Sequence, residues 1–146
     1  MPERRRQHPQ DERGFTLVEV LVVILVIGVL AGIAIAVFLS QSEKATDATA
    51  KAQVRSAETA AETYATEHNG EYKGLELARL KEIEPSLSDE GTAKLTKAEA
   101  KGGGFVVQSE ALGTKDRYSI ERKEGGEVSR TCKRENNGGC PAGGTW

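Results

Sequence analysis

The chain has 146 residues, 38% of them hydrophobic and 29% charged, with 20 Lys and Arg against 22 Asp and Glu. That length gives room for about one domain with one modest core, and a net charge of -2 argues against a strong electrostatic grip on nucleic acid. The only cysteines, Cys132 and Cys140, are too few to make a structural zinc site without histidines.

Residues 1–14 are polar: Arg4, Arg5, Arg6 and Arg13 stand against Glu3, Asp11 and Glu12, a balance of +1 that leaves -3 for the rest. The character then changes. Val20 to Leu39 carries no charge or strong polarity, and about 20 such residues match a helix crossing a hydrocarbon layer ~30 Å thick. The arginines before it and the mixed charges after it (Glu43, Lys44, Asp47, Lys51) favour a cytoplasmic amino terminus with the remainder outside. A secretory signal peptide would have a shorter apolar region, although Ala34-Ile35-Ala36 could pass for its cleavage site. An ordinary anchor would explain the length but not Glu19, a carboxylate at the front of the run. A charge in mid-bilayer costs about 2.5 to 3.5 kcal/mol, less near an end, so the residue needs a partner or a task.

The stretch "RGFTLVEVLVVILVIGVLAGIAIAVFLSQ", Arg13 to Gln41, resembles the amino-terminal cleavage and methylation segment of type IV pilins and pseudopilins. The resemblance implies a leader ending at Gly14, cut by a membrane-embedded prepilin peptidase, with Phe15 becoming the new N-methylated terminus and Glu19 governing assembly. Thr16, Leu17, Gly28 and the run to Phe38 also fall where that family has them, whereas Ala36 stands where many pilins have proline. Without proline there is less reason for the helix to kink there. Gly28 and Gly32 have small-xxx-small spacing, which allows close helix contact in a bundle but is common in membrane helices.

The chemistry accounts for the residue types. Before cleavage the Phe15 nitrogen is an uncharged amide; afterwards it is an amine, mostly protonated near neutrality, and one methyl keeps it basic. Glu19 lies one helical turn away, within reach of its own terminus or, in a helical filament, of a neighbour's. The expectation is that a neighbour's Phe15 amine satisfies Glu19; the simpler alternative is a carboxylate snorkelling toward the headgroups. At Gly14 a side chain would obstruct a peptidase that must hold extended backbone against its catalytic groups.

Beyond the apolar run, Ala50, Val54, Ala57, Ala61 and Tyr64 recur at spacings of four and three, a narrow stripe suited to packing on a sheet. Asp47 and Lys51 are spaced for a surface ion pair, and Asn69-Gly70 supplies a stop. The implied helix runs from Phe15 to about His68, roughly 80 Å. Tyr72 to Leu87 reads as a connection with a short helix facing Leu77, Leu80 and Ile83 inward and ending before Pro85; Thr92 to Ala100 fits helix or strand equally. After Gly102-Gly103-Gly104 come three strand patterns, "FVVQSEAL", "RYSIERK" and "EVSRTCKR", the last two joined through Gly125-Gly126. The fold class is therefore α+β: a long amino-terminal helix on an antiparallel sheet of three or four strands. The expected parts are a leader at 1–14, a transmembrane or filament-core helix at 15–39, its soluble half at 40–69, and a connection plus sheet head at 70–146.

Cys132 and Cys140 read better as a disulfide formed outside the cytoplasm than as two free thiols; similar pilins keep a carboxy-terminal disulfide loop in this place. Trp146 is a core plug or an exposed contact. Past the leader the one histidine is His68, and no catalytic dyad, phosphate loop or calcium loop is legible; Glu58, Glu62, Asp89 and Glu90 read as a solvated acidic face. No enzyme activity, cofactor or metal is expected. The resemblance implies a subunit that self-assembles from the cytoplasmic membrane into a filament, served by an assembly ATPase and a platform protein. Its setting would be a type IV pilus for adhesion, motility or DNA uptake, or else a secretion or competence pseudopilus; a monomeric membrane-anchored binding domain is the alternative of another class.

Overall fold

The computed structural model describes residues 14–89, 91–133 and 138–146. The leader expectation for residues 1–13 and the Glu90 carboxylate fall outside them. Contacts divide the chain into two units, Met1–Val37 and Phe38–Trp146. Helix α1, Leu17–Glu67, is helical throughout, including at Ala36, where the missing proline leaves every backbone N–H free to bond.

In the first unit every described side chain is exposed, with large apolar residues between 49% and 83% accessible. Such a segment has no core; its backbone polar groups are satisfied within the helix, which is what a lipid environment demands. Among the described residues it belongs to the one helix long and apolar enough to cross a membrane.

The second unit is built around a four-stranded antiparallel sheet in the order β1-β2-β3-β4, comprising β1 (Ala93–Lys101), β2 (Gly104–Ala111), β3 (Arg117–Arg122) and β4 (Val128–Lys133). The stretch Thr92 to Ala100, ambiguous in sequence, is thus strand from Ala93 on. Gly102 and Gly103, both at positive φ, form the two-residue turn between β1 and β2, a conformation that glycine enters without steric cost. The inner face presents Ala93, Leu95, Phe105, Val107, Ala111, Tyr118 and Ile120, all buried against the Ala50, Val54, Ala57, Ala61 and Tyr64 stripe of α1. Small alanines on the helix side leave room that the aromatic and branched residues of the sheet fill.

The helix ends where Asn69 takes a positive φ and the Gly70 N–H returns to the Ala65 carbonyl at 2.7 Å, a left-handed terminus. A short helix α2, Leu77–Ile83, buries Leu80 fully, with Leu77 and Ile83 packed partly against the core. Pro85 not only follows its end but opens a 3₁₀ turn, Pro85–Leu87, since its fixed φ suits a first helical position.

Cys132 and Cys140 are bonded, with Cα atoms 5.8 Å apart. The final residues lie along the outer edge of β4, with Thr131 bridging Thr145 and the Cys132 N–H donating to the Gly144 carbonyl at 2.7 Å. Trp146 is neither a plug nor a free contact. Half-buried, it stands edge-on to Tyr118 with ring centres 5.7 Å apart and donates its indole N–H to the Thr131 carbonyl at 2.9 Å.

Two polar expectations change. Asp47 and Lys51 do not make the surface ion pair that their spacing suggests; Asp47 is 1% exposed, and Lys51 donates to the Gly139 carbonyl at 2.9 Å. The acidic residues are engaged one by one: Glu58 with Arg130 at 3.3 Å, Glu62 with Arg122 at 2.8 Å and Asp89 with Lys81 at 2.9 Å.

Candidate functional site

At the head of α1, Gly14, Phe15 and Thr16 precede the helix, which starts at Leu17. The first helical N–H groups have no carbonyl one turn back, so something else must satisfy them. Thr16 does this for one of them. Its carbonyl accepts the first regular helical bond, from the Val20 N–H at 3.3 Å, and its hydroxyl oxygen accepts the otherwise unmatched Glu19 N–H at 3.2 Å. It is the N-cap, and Glu19 is the third helical residue.

A threonine cap with glutamate three positions on is the capping-box pattern, in which the carboxylate reaches back to the cap's own N–H. Only the forward half forms here. Among the described residues no hydrogen bond or ion pair engages the Glu19 carboxylate, which lies exposed in the first turn. The positive end of the helix dipole favours a carboxylate at that place, yet the charge has no counter-ion among the described residues. The cap was missed from sequence, although the Thr16-Leu17-Val18-Glu19 spacing was enough to indicate it.

Among the described residues nothing explains why residue 14 is glycine. A Cβ at Gly14 would meet no atom within 4 Å, and its φ is not left-handed. Phe15, which follows, is 83% exposed. Gly28 and Gly32 are equally open. Apart from Glu19, the exposed side chains from Leu17 to Leu39 form an apolar surface.

A second constellation gathers where the disulfide loop meets α1. Asp47 accepts the Thr114 hydroxyl at 2.5 Å and the Gly139 N–H, and buried Asp116 lies beside it. Gly138 is required there, because a Cβ would run into both the Asp47 and Asp116 carboxylates. The Tyr118 phenol ends in the same place; burial first, then the charges of Asp47 and Asp116, push it well above its ordinary value. Lys51 lies 5.1 Å from the Tyr118 ring centre, and the Arg55 guanidinium 5.2 Å from that of Trp146, so the cations of the α1 face stack on the aromatic rings. These contacts hold the loop; they present no nucleophile and base in reach of each other.

His68 stacks on Tyr64 with centres 3.9 Å apart, and its Nδ1 lies 2.8 Å from the Tyr64 carbonyl, just past the end of α1. Among the described residues no group of three or more His, Cys, Asp or Glu side chains is placed to hold a metal.

Residues 9–35 match the family model described as the prokaryotic N-terminal methylation motif. No curated protein and no solved structure matches the chain.

Proposed function

We propose that this chain, a pilin-like or pseudopilin precursor by its prepilin-type signal, is a structural subunit of a type IV pilus. It is held in the cytoplasmic membrane by the first half of α1, amino terminus inside and head outside, until it is drawn into the filament. A prepilin peptidase hydrolyses the Gly14–Phe15 bond; water supplies the hydroxyl of the new Gly14 carboxylate, and the Phe15 nitrogen leaves as an amine that is then methylated. An assembly ATPase and a platform protein lift the subunit into the polymer, where the Phe15 amine of one copy meets Glu19 of another. The function is mechanical and adhesive, with no catalysis by the chain itself.

One observation carries this reading: an open glycine and an exposed phenylalanine stand before a capped helix whose third residue is a carboxylate without a partner among the described residues. No contact among those residues accounts for the three, and a cut followed by polymerisation accounts for each. Removing one member of a buried ion pair typically costs 3 to 5 kcal/mol, so a subunit that lacks either partner is strongly disfavoured in the filament.

Intact-mass and terminal-fragment analysis of membrane-extracted protein tests the processing. The expected species begins at Phe15 and carries one methyl group; a chain that retains Met1 is instead a membrane-anchored monomeric domain, and one that begins just past Ala36 is a secreted domain. Long surface fibres containing the protein separate a pilus from a short secretion or competence pseudopilus.

A further inference from the structure

We infer that Thr16 is a positioning residue for leader removal, its hydroxyl keeping the Gly14–Phe15 bond outside the helix; this rests on the processing proposed above. The helical ladder opens with the Val20 N–H on the Thr16 carbonyl, and the Glu19 N–H, next in line, is taken by the Thr16 hydroxyl oxygen. Without that oxygen the nearest acceptor for the Glu19 N–H is the carbonyl four residues back, that of Phe15. The Val18 N–H would then take the carbonyl of Gly14 by the same rule. That carbonyl is the one a peptidase must attack.

The apolar setting adds to the pull. An N–H without a partner in or near hydrocarbon is costly, so an uncapped apolar helix is drawn to wind backward toward acceptors. Winding would turn the Gly14 carbonyl into a hydrogen-bonded member of a helical turn, whereas hydrolysis needs extended backbone reachable by water and catalytic groups. Thr16 supplies the missing acceptor from its side chain, and Gly14 and Phe15 remain outside the helix. The capping threonine thus sets a fixed separation between the bond to be cut and the first membrane-helix residue.

The test uses the full-length uncleaved chain in membranes with its prepilin peptidase, following initial loss of the leader by intact mass. Thr16→Val keeps shape and removes the acceptor; Thr16→Ser restores it. Thr16→Val is expected to be processed about fivefold more slowly, the population ratio an ordinary N-cap controls, and Thr16→Ser within about twofold of the parent. Cα chemical shifts of Gly14 and Phe15 in uncleaved protein should move to helical values in the valine variant alone. The inference is overturned if valine is cut at the parental rate, if serine is as slow as valine, or if valine slows cutting while both shifts stay non-helical. A parent that keeps its leader overturns the processing proposal itself, and the positioning role with it.

Discussion

Asp47, at the start of the buried face of α1, accepts the backbone N–H of Gly139, 92 positions later in the chain. The same carboxylate accepts the Thr114 hydroxyl, so one side chain ties the helix to the β2–β3 turn and to the disulfide loop. Replacing it by alanine takes the carboxylate acceptor from a buried hydroxyl and a half-buried N–H, which predicts a loss of about 2 to 3 kcal/mol. Denaturant unfolding of the detergent-solubilised chain, followed by near-ultraviolet circular dichroism, measures it. An Asp47→Ala variant within about 0.5 kcal/mol of the parent would show that the contact carries no stability.

The disulfide acts on the same loop from its other side. Because Cys132 and Cys140 are only 8 positions apart, removing both is expected to cost about 2.5 kcal/mol by the loop-closure argument. The two devices should also be coupled. Once the bond is absent, the Gly139 N–H is held less firmly against Asp47, so the effect of Asp47→Ala should shrink by 0.5 kcal/mol or more in a double-mutant cycle. Strict additivity would mean that the loop keeps its place without the bond.

Burial and the neighbouring Asp47 and Asp116 charges raise the Tyr118 phenol above its ordinary value, and Tyr72 moves the same way through burial and its hydrogen bond to Glu62. The folded chain therefore holds protons that the unfolded chain releases from about pH 10. Their contribution to stability is complete below that pH and falls as pH rises through the folded values. Unfolding free energies measured from about pH 8 upward should stay level, then decline above about pH 10, and Tyr118→Phe should make that decline shallower. An equal decline in the variant would assign the loss to other groups.

How far the fold is legible in sequence depends on whether a pattern keeps its period. The α1 stripe from Ala50 to Tyr64 and the alternation of Tyr118 and Ile120 in β3 hold theirs, and both were readable; β2, buried at Phe105, Val106 and Val107 alike, shows no such period. In β1 the register shifts between Leu95 and Lys97, and the inward side passes from Leu95 to Ala98. An extra residue breaks a period of two, which is why Thr92 to Ala100 fits no single template. Asp47 was unreadable for another reason: a carboxylate one turn before a lysine looks like a surface pair, and only the return of a distant loop shows it to be interior. The signal at Gly14, Phe15 and Glu19 was plain as a pattern of residue types, while the acceptor role of Thr16 needed the start of the helix to be located.

Glu19 gives the sharpest prediction about assembly. The carboxylate is exposed on the first turn and has no partner among the described residues, so its removal should leave the monomer's fold, membrane insertion and leader cleavage unchanged. The loss should appear only when copies meet. If a neighbour's Phe15 amine is its counter-ion in the filament, Glu19→Ala leaves that amine unpaired in an apolar shaft at a cost of about 3 to 5 kcal/mol, a hundredfold or greater shift toward the membrane pool. Quantifying the protein in sheared filaments and in membranes, with electron microscopy of the surface, reads the ratio, and intact mass verifies that both forms begin at Phe15. Filaments of normal yield from the alanine variant would remove the pairing from the assembly mechanism, and would leave Glu19 as a headgroup-facing carboxylate favoured only by the positive end of its own helix.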